Sequence, residues 1–435
     1  MPATTLYGID LEVDLGIGRQ AGAGVWDTSR WDDAVWAETD TSLGDWVDVS
    51  CQVKDGISLG AGASDADGVV TRWEAATFAF TLLGAEFDPW SGPWAGIIGP
   101  SVPVRLRWRT SPGLTSVVDE LGLAPAVDSA GWSIAFIGYV DDGGYHYQPD
   151  PNPNLCLAQV QAVDHTTVLA SFDGLEQIPA GSGETASARV IRVLDNARWP
   201  AADRDITAGG VLLKDTTLAN TAWTELLAVA DTDLALLWVN RAGQLAYRPT
   251  GRVGSGQQLT AVLVVCPDDA AGGIQVVDLE RANPNPTRNI VSISRQVNTG
   301  QPEASTATIS DQASVARYRA RRYGRTDLLH LSDAWSTTVA QTILLSCAWP
   351  SDAPRRVELD SRLGDARVPG LLLALEPIHA FTLTDGTSTW RVGPVGWAID
   401  IDRAHIGGQV ALDDWTRWTG GVWDSALWDQ NRWGV

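Results

Sequence analysis

The sequence is short of lysine, of paired cysteine and of long apolar runs. Lysine occurs only at Lys54 and Lys214, so arginine carries nearly all of the positive charge, and Lys plus Arg (31) fall well below Asp plus Glu (53). The resulting net charge of −22 excludes a protein that grips nucleic acid, because phosphate binding needs clusters of Lys and Arg. Acidity of this size otherwise serves solubility. Cys51, Cys156, Cys266 and Cys347 are scattered, without a C-x-x-C pair, in apolar runs such as VVCP and LLSCAW. They are expected to be small buried residues, and neither a structural zinc site nor a disulfide framework is supported. No apolar run approaches the roughly 18 residues of a membrane span. The start, MPATTLYGIDLEVD, has neither the basic region nor the apolar core of a signal peptide. A soluble protein made in a cytoplasm is therefore expected.

Catalytic signatures are also missing. No G-x-x-x-x-G-K-[ST] loop and no G-x-S-x-G elbow occurs. The glycine run GIGRQAGAG (16–24) leads into tryptophan-rich sequence instead of a helix, so it reads as a flexible linker. His146, His165, His330, His379 and His405 lie far apart and lack the i,i+4 pairing of a helical metal site. His165, beside Asp164, reads as a satisfied structural residue. Asp400 and Asp402 share one face of an expected strand, and Asp141 and Asp142 sit at a Gly-Gly turn; turn chemistry and a solvated face account for both pairs. The expectation is no catalytic residue, no cofactor and no metal site.

What is present is a phrase written twice. Residues 24–36 read GVWDTSRWDDAVW and residues 421–433 read GVWDSALWDQNRW. Trp26, Asp27, Trp31, Asp32 and Trp36 thus match Trp423, Asp424, Trp428, Asp429 and Trp433. A five-residue repeat fits neither regular period, since five steps rotate a helical side chain by about 140° and move a strand residue to the opposite face. Each W-D-x-x-x unit reads as a compact turn whose Asp accepts from backbone N–H groups just ahead. Such a string presents large indoles from a short segment, and these ten residues are the expected interaction site.

Between the two phrases the elements fall into regions. Residues 1–180 read as short strands (TTLYGIDLEVDL, DWVDVSCQV, ATFAFTLLG, VPVRLRWRT, WSIAFIGYV, LCLAQVQAV) separated by turn segments. These predict a first small β-barrel domain with a Trp-rich loop at 24–45. Residues 181–252 predict a small α/β module. Its first helix carries Val190, Val193, Leu194 and Ala197 on one face and stops at Pro200. Its second carries Trp223, Leu226, Leu227 and Ala230 and is capped by Asn220 or Thr221. A hairpin then turns at Arg241-Ala242-Gly243 between Trp238 and Tyr247. Residues 253–410 return to strands, a second barrel domain with one helix over 333–349, capped by Ser332 or Asp333 and stopped by Pro350. Residues 411–435 form a Trp-rich C-terminal tail.

The order of these segments resembles the phage tail-tip and baseplate hub family, whose actinobacteriophage members are known as minor tail proteins. WEAATFAFTLLGAEFDPW (73–90) followed by VPVRLRW (102–108) is similar to the family's strand, DP turn and strand. WSIAFIGYVDD and LAQVQAVDHTTVLAS are similar to its closing barrel strands, and TAWTELLAVADTDLALLWVNRAGQLAYRP to its helix–hairpin insert. RYGRTDLLHLSDAWSTTVAQTILLSCAWP is similar to its late helix, and VGWAIDIDRAHIGGQVALDD to its last strands. The likeness spans roughly residues 5–413. It implies a mainly β (α+β) fold, with two small β-barrels and an inserted α/β module, forming a pseudo-sixfold homotrimer that adapts a sixfold tail tube to a threefold tip. It further implies a virion location at the tail tip after assembly in the host cytoplasm. The implied partners are distal tail and tail-tube proteins, the tape measure protein and other tip or fibre proteins. An acidic channel wall would let DNA pass without sticking. No peptidase, lysozyme or fibre domain follows the hub-like part, so no enzymatic role is expected. The two Trp phrases lie outside the hub-like strand order and are expected to clamp neighbouring subunits. The alternative is a carbohydrate-binding tail protein that stacks host-wall sugars on exposed Trp.

Overall fold

The computed structural model describes residues 4–6, 9–17, 46–65, 71–111, 127, 130–175, 178–181, 183–249, 257–265, 272–281, 287–297, 303–402 and 404–414. The first region supplies β1 (Thr4–Leu6), β2 (Ile9–Gly16), β3 (Trp46–Asp48), β4 (Val53–Asp65), β5 (Thr71–Trp73), β6 (Thr77–Leu83), β7 (Pro103–Thr110), β8 (Ser133–Gln148) and β9 (Leu157–Val163). Strict alternation writes these strands. Ile9, Leu11, Val13 and Leu15 of β2, Phe78, Phe80 and Leu82 of β6, and Val104, Leu106 and Trp108 of β7 are all buried in one core, as a two-residue period places alternate side chains on one face of a sheet. Phe78 packs its ring 4.9 Å from Phe80 and 5.1 Å from Phe136.

The middle region contains α1 (Thr166–Ser171), β10 (Ile178–Ala180), β11 (Glu184–Thr185), α2 (Ala186–Asn196), β12 (Arg204–Ile206), β13 (Leu212–Leu213), β14 (Thr216–Leu218), α3 (Ala222–Asp233), β15 (Leu236–Val239) and β16 (Leu245–Arg248). The side chain of Thr185 caps α2 by accepting from Ala188 N, and Val190, Val193 and Leu194 are buried beneath it. Thr221 caps α3. The buried face of α3 is centred on Leu226, Val229 and Ala230, whereas Trp223 and Leu227, expected on that face, are only partly buried. The helix is rotated so that Val229 takes the inner position, because it packs between α2 and the β12-β16-β15 sheet. This region has an apolar core of its own. One face of its hairpin, Leu236, Trp238 and Ala246, joins the core of the large sheet.

The last region holds β17 (Gln257–Val264), β18 (Ile274–Gln275), β19 (Asp278–Glu280), β20 (Ile290–Arg295), β21 (Ala307–Ser310), α4 (Gln312–Tyr318), β22 (Arg322–Leu328), α5 (Asp333–Cys347), β23 (Arg356–Asp360), α6 (Arg367–Ala374), β24 (His379–Thr384), β25 (Thr389–Ile401) and β26 (Ile406–Asp414). Ser332 caps α5 through Ala334 N, and α5 lies on a small β21-β20-β22 sheet.

Hydrogen bonding does not divide the strands into two separate sheets. β4 pairs antiparallel with β25, from Ile57 opposite Ile401 to Gly62 opposite Gly396. A Cβ on Gly396 would stand 3.1 Å from the Gly62 Cα and 3.2 Å from the Ala61 carbonyl oxygen, so the seam needs glycine for backbone approach. The result is one 16-stranded sheet whose main path runs β1-β2-β7-β8-β9-β6-β4-β25-β24-β17-β18. Among the described residues this path is open and closes into no ring of strands, which differs from the two closed barrels the sequence suggested. The long β25 offers its second edge to β4, and pairing there satisfies backbone groups that a free edge would leave to water. A second difference concerns cysteine. Cys156 and Cys347 are buried, but Cys51 is exposed, because it sits in a short 3₁₀ turn at Ser50–Gln52 with no buried residue; Cys266 lies outside the described residues.

Candidate functional site

Trp26, Asp27, Trp31, Asp32, Trp36, Trp423, Asp424, Trp428, Asp429 and Trp433 all lie outside the described residues. The strands that flank them are described. The first phrase follows β2 and precedes β3, and these two pair directly, Gly16 opposite Trp46. The second follows β26, whose Asp414 pairs with Val392 of β25. Both phrases are therefore attached to the same continuous sheet.

Beside the first attachment lies a ladder of charge. β2 and β7 pair so that Asp10 faces Arg109, Glu12 faces Arg107 and Asp14 faces Arg105. Arg105 Nε donates to Asp14 at 2.7 Å, Arg107 pairs with Glu12 and, at 2.9 Å, with Asp14, and Arg109 reaches Asp10 at 3.2 Å. Indoles cover the ladder: Trp46 lies 4.2 Å from the Arg105 guanidinium and Trp132 4.4 Å from that of Arg109. Burial, and then the neighbouring Asp14, push the Glu12 carboxyl up. Carboxylate oxygens of Glu12, Asp14 and Asp48 lie within 4.8 Å of one another, close enough to share a cation. Arg105 and Arg107 already bring positive charge to Glu12 and Asp14, so the arrangement is complete as an ion-pair network. The pattern was legible: IDLEVDL and VRLRWRT alternate in the same phase.

A second cluster joins three parts of the chain. Arg241, in the module's hairpin turn, donates to the carbonyls of Ala135 (2.8 Å), Leu375 (3.0 Å) and Leu372 (3.2 Å), and its guanidinium stacks 4.7 Å from Trp397. Glu376 accepts from Arg241 N and from Trp238 Nε1, each at 2.7 Å. Burial raises the Glu376 carboxyl and lowers Arg241 to about 10. The cavity enclosed here, about 30 Å³, is too small for a cofactor. His165 fits its expected structural role: its Nδ1 lies 2.7 Å from the Gly243 carbonyl oxygen, its ring packs on Tyr139 and Trp199, and burial holds it near 4 and neutral.

A groove of about 590 Å³ opens over β4, β6, β8 and β9 beside the β25–β26 turn. Asp400 and Asp402 both line it, but they do not act as an acid pair. Asp402 accepts from Ala404 N and His405 N and pairs with His405 Nδ1 at 2.7 Å, the turn chemistry expected of it.

One exposed aromatic escaped the sequence reading. Trp90 is 80% exposed on a loop locked by Asp88, whose carboxylate accepts from Trp90 N (2.8 Å), Ser91 N (3.3 Å) and Ser91 Oγ (2.7 Å). The Ser91 hydroxyl and the Trp90 amide hold the Asp88 carboxyl below its ordinary range. Trp94 anchors the same loop 5.3 Å from Phe87. An Asp turn that fixes the backbone while an indole points outward is the chemistry inferred for the Trp phrases, and D-P-W is its signal here.

No family model and no curated protein matches this sequence. Solved structures do match. A tail protein from Neisseria meningitidis MC58 superposes with a TM-score of 0.56 at 12% identity, over 95% of this chain and 98% of that one. The 43 kDa tail protein of prophage MuSo2 from Shewanella oneidensis gives 0.52 at 11% identity, over 93% and 99%. A prophage tail protein from Listeria monocytogenes is a more distant likeness, at 0.46 and 9% over 84% and 91%. Matched over nearly the whole length of both the Neisseria and the Shewanella prophage protein, the chain has the fold of these tail proteins.

Proposed function

We propose that this chain is a structural subunit of a phage tail, a tail-tip hub that meets the tail tube on one side and tip or fibre proteins on the other. The observation that carries the reading is the end-to-end match to the Neisseria tail protein, which leaves 5% of this chain and 2% of that one uncovered. In this reading the open sheet completes its two barrel-like halves within a homotrimer, whose six halves present pseudo-sixfold symmetry to the tube. The Trp phrases dock into grooves of neighbouring subunits, where tryptophan is a favoured anchor, and Trp90 adds a rigid indole to the adhesive set. The net charge of −22 suits a channel that DNA passes without binding. The protein works in the virion, with tube, tape measure and fibre proteins as its partners and with no catalytic step of its own.

Light scattering on the purified chain tests the assembly. The expected mass is about three times the 46.5 kDa of one chain, and Trp423→Ala with Trp428→Ala is expected to shift it towards monomer. A chain that stays monomeric at every concentration and does not bind tail-tube protein would overturn the reading.

A further inference from the structure

The α/β module meets its surroundings along three seams, and each seam contains one buried histidine. On the side of the first region, the Nδ1 of His165 meets the Gly243 carbonyl of the module's turn at 2.7 Å. On the side of the β21-β20-β22 sheet, His330 forms a backbone bridge with Leu213 of β13 and holds Ser336 Oγ at 2.7 Å through Nε2. Its Nδ1 is buried without a hydrogen-bond partner. On the side of the second half of the large sheet, His379 accepts from Glu376 N through Nδ1 at 3.0 Å, and Glu376 carries both polar bonds to the module's Trp238 and Arg241. The three imidazoles are 2%, 0% and 5% exposed. The module has an apolar core centred on its two helices, to which Leu169, Leu175 and Leu329 of its neighbours contribute. The Leu236, Trp238 and Ala246 face of its hairpin lies in the core of the large sheet, so these are the apolar contacts that unseating exposes.

We propose that the three histidines form a proton-operated latch: acidification unseats the module β10–β16, with α2 and α3, while the large sheet stays folded. Each imidazole is seated where an added proton finds no acceptor. At His165 the free side of the ring faces Tyr139 and Trp199, with Asp164 next to it in the chain and Asp203 beyond Tyr139. At His330 the facing charges are Arg295 and Asp333, with Lys214 directly after the adjoining module strand β13. At His379 they are Arg241 and Glu376, and a proton on Nδ1 would meet the Glu376 N–H head on.

Burial pushes all three histidines down to about 4, helped by Arg295 at His330 and Arg241 at His379. Released into water an imidazole titrates near 6.5. The sign follows: a group whose seated pKa is depressed in this way is neutral while seated and takes up a proton on release. Between about pH 6.5 and pH 4, each histidine therefore makes unseating about tenfold easier per pH unit fallen. Two carboxylates act in the opposite sense. Burial raises Asp164 to about 6 and raises Glu376, so protonation favours their seated forms over part of the same range. Three histidines against two carboxylates leave release favoured by acid.

Amide hydrogen exchange on the full chain between pH 7 and pH 4.5, corrected for the chemical rate, tests the latch. The reporters are seam amides: Lys214, bonded to the Leu329 carbonyl, Leu331, bonded to that of Leu212, and Arg241. They are expected to exchange about a hundredfold faster at pH 4.5 than at pH 7, while amides of β2 and β25 keep their protection. The neutral triple variant His165→Asn, His330→Gln, His379→Asn is expected to lose most of that pH dependence. Simultaneous loss of protection at seams and sheet, or an unchanged pH dependence in the triple variant, would overturn the proposal. If the triple variant does not fold, the imidazole proton resonances of the unmodified chain decide. Protonation in the pH interval where the seams open supports the latch, and histidines still neutral when the seams open refute it.

Discussion

The large sheet and the α/β module are secured in different ways. The sheet repeats one device along its length: an apolar residue inward and a polar one outward, paired register by register. Its β2–β7 ladder shows both faces at once, with Ile9, Leu11, Val13 and Leu15 on one and three acid–arginine pairs on the other, where Asp10 and Asp14 are themselves buried. The module has its own core, shares the Leu236, Trp238 and Ala246 face of its hairpin with the sheet's core, and is further held by a few polar contacts, each centred on one residue. Arg241 binds three carbonyls, Asp231 receives both Arg72 and Arg325, and Glu376 receives Trp238 and Arg241. Distributed pairing tolerates the loss of one polar member. Concentrated pairing does not, because removing one group strands several partners.

Four substitutions would break or sharpen this contrast. Phe78→Ala, which empties the centre of the sheet's core, is expected to cost about 3–5 kcal/mol, seen as a lower denaturation midpoint for the sheet. Arg241→Ala is expected to cost about 3 kcal/mol by stranding the carbonyls of Ala135, Leu372 and Leu375. Its mark should be local, with limited proteolysis entering the 240–244 turn before the sheet is cut. Arg105→Ala, in the ladder, leaves Asp14 with Arg107 as a partner, so a cost of about 1–2 kcal/mol is expected; a loss equal to that of Arg241→Ala would erase the distinction. Trp90→Ala is expected to change stability by less than about 0.5 kcal/mol, since the indole is exposed and Asp88 fixes the loop without it. A large drop in thermal stability there would mean that the side chain packs against the protein.

Much of the architecture was legible because it depends on short-range periods. The alternation of β2, β6 and β7, the Thr221 and Ser332 caps, and the Arg241-Ala242-Gly243 turn all follow from residues within one or two turns of one another. The rotation of α3 was misjudged because Trp223 and Val229 are both apolar, and only the packing partner selects between them. Cys51 was misplaced because a short apolar context does not reveal a 3₁₀ turn. The expected site, the two Trp phrases, lies outside the described residues, while Trp90 shows that a single Asp turn can present an indole without the repeat.

The sequence by itself determined most of the strands, the longer helices α2, α3 and α5 and the alternation of apolar side chains along the strands, but not the short helices α1, α4 and α6. Tertiary structure alone decided that β4 meets β25 to make one sheet, that Arg241 bridges three parts of the chain, and that three histidines far apart in sequence are each buried beside a seam of the module. Local periods are set by neighbours a few bonds away. These long-range meetings depend on which edges, carbonyls and cavities remain unsatisfied once the local elements have formed.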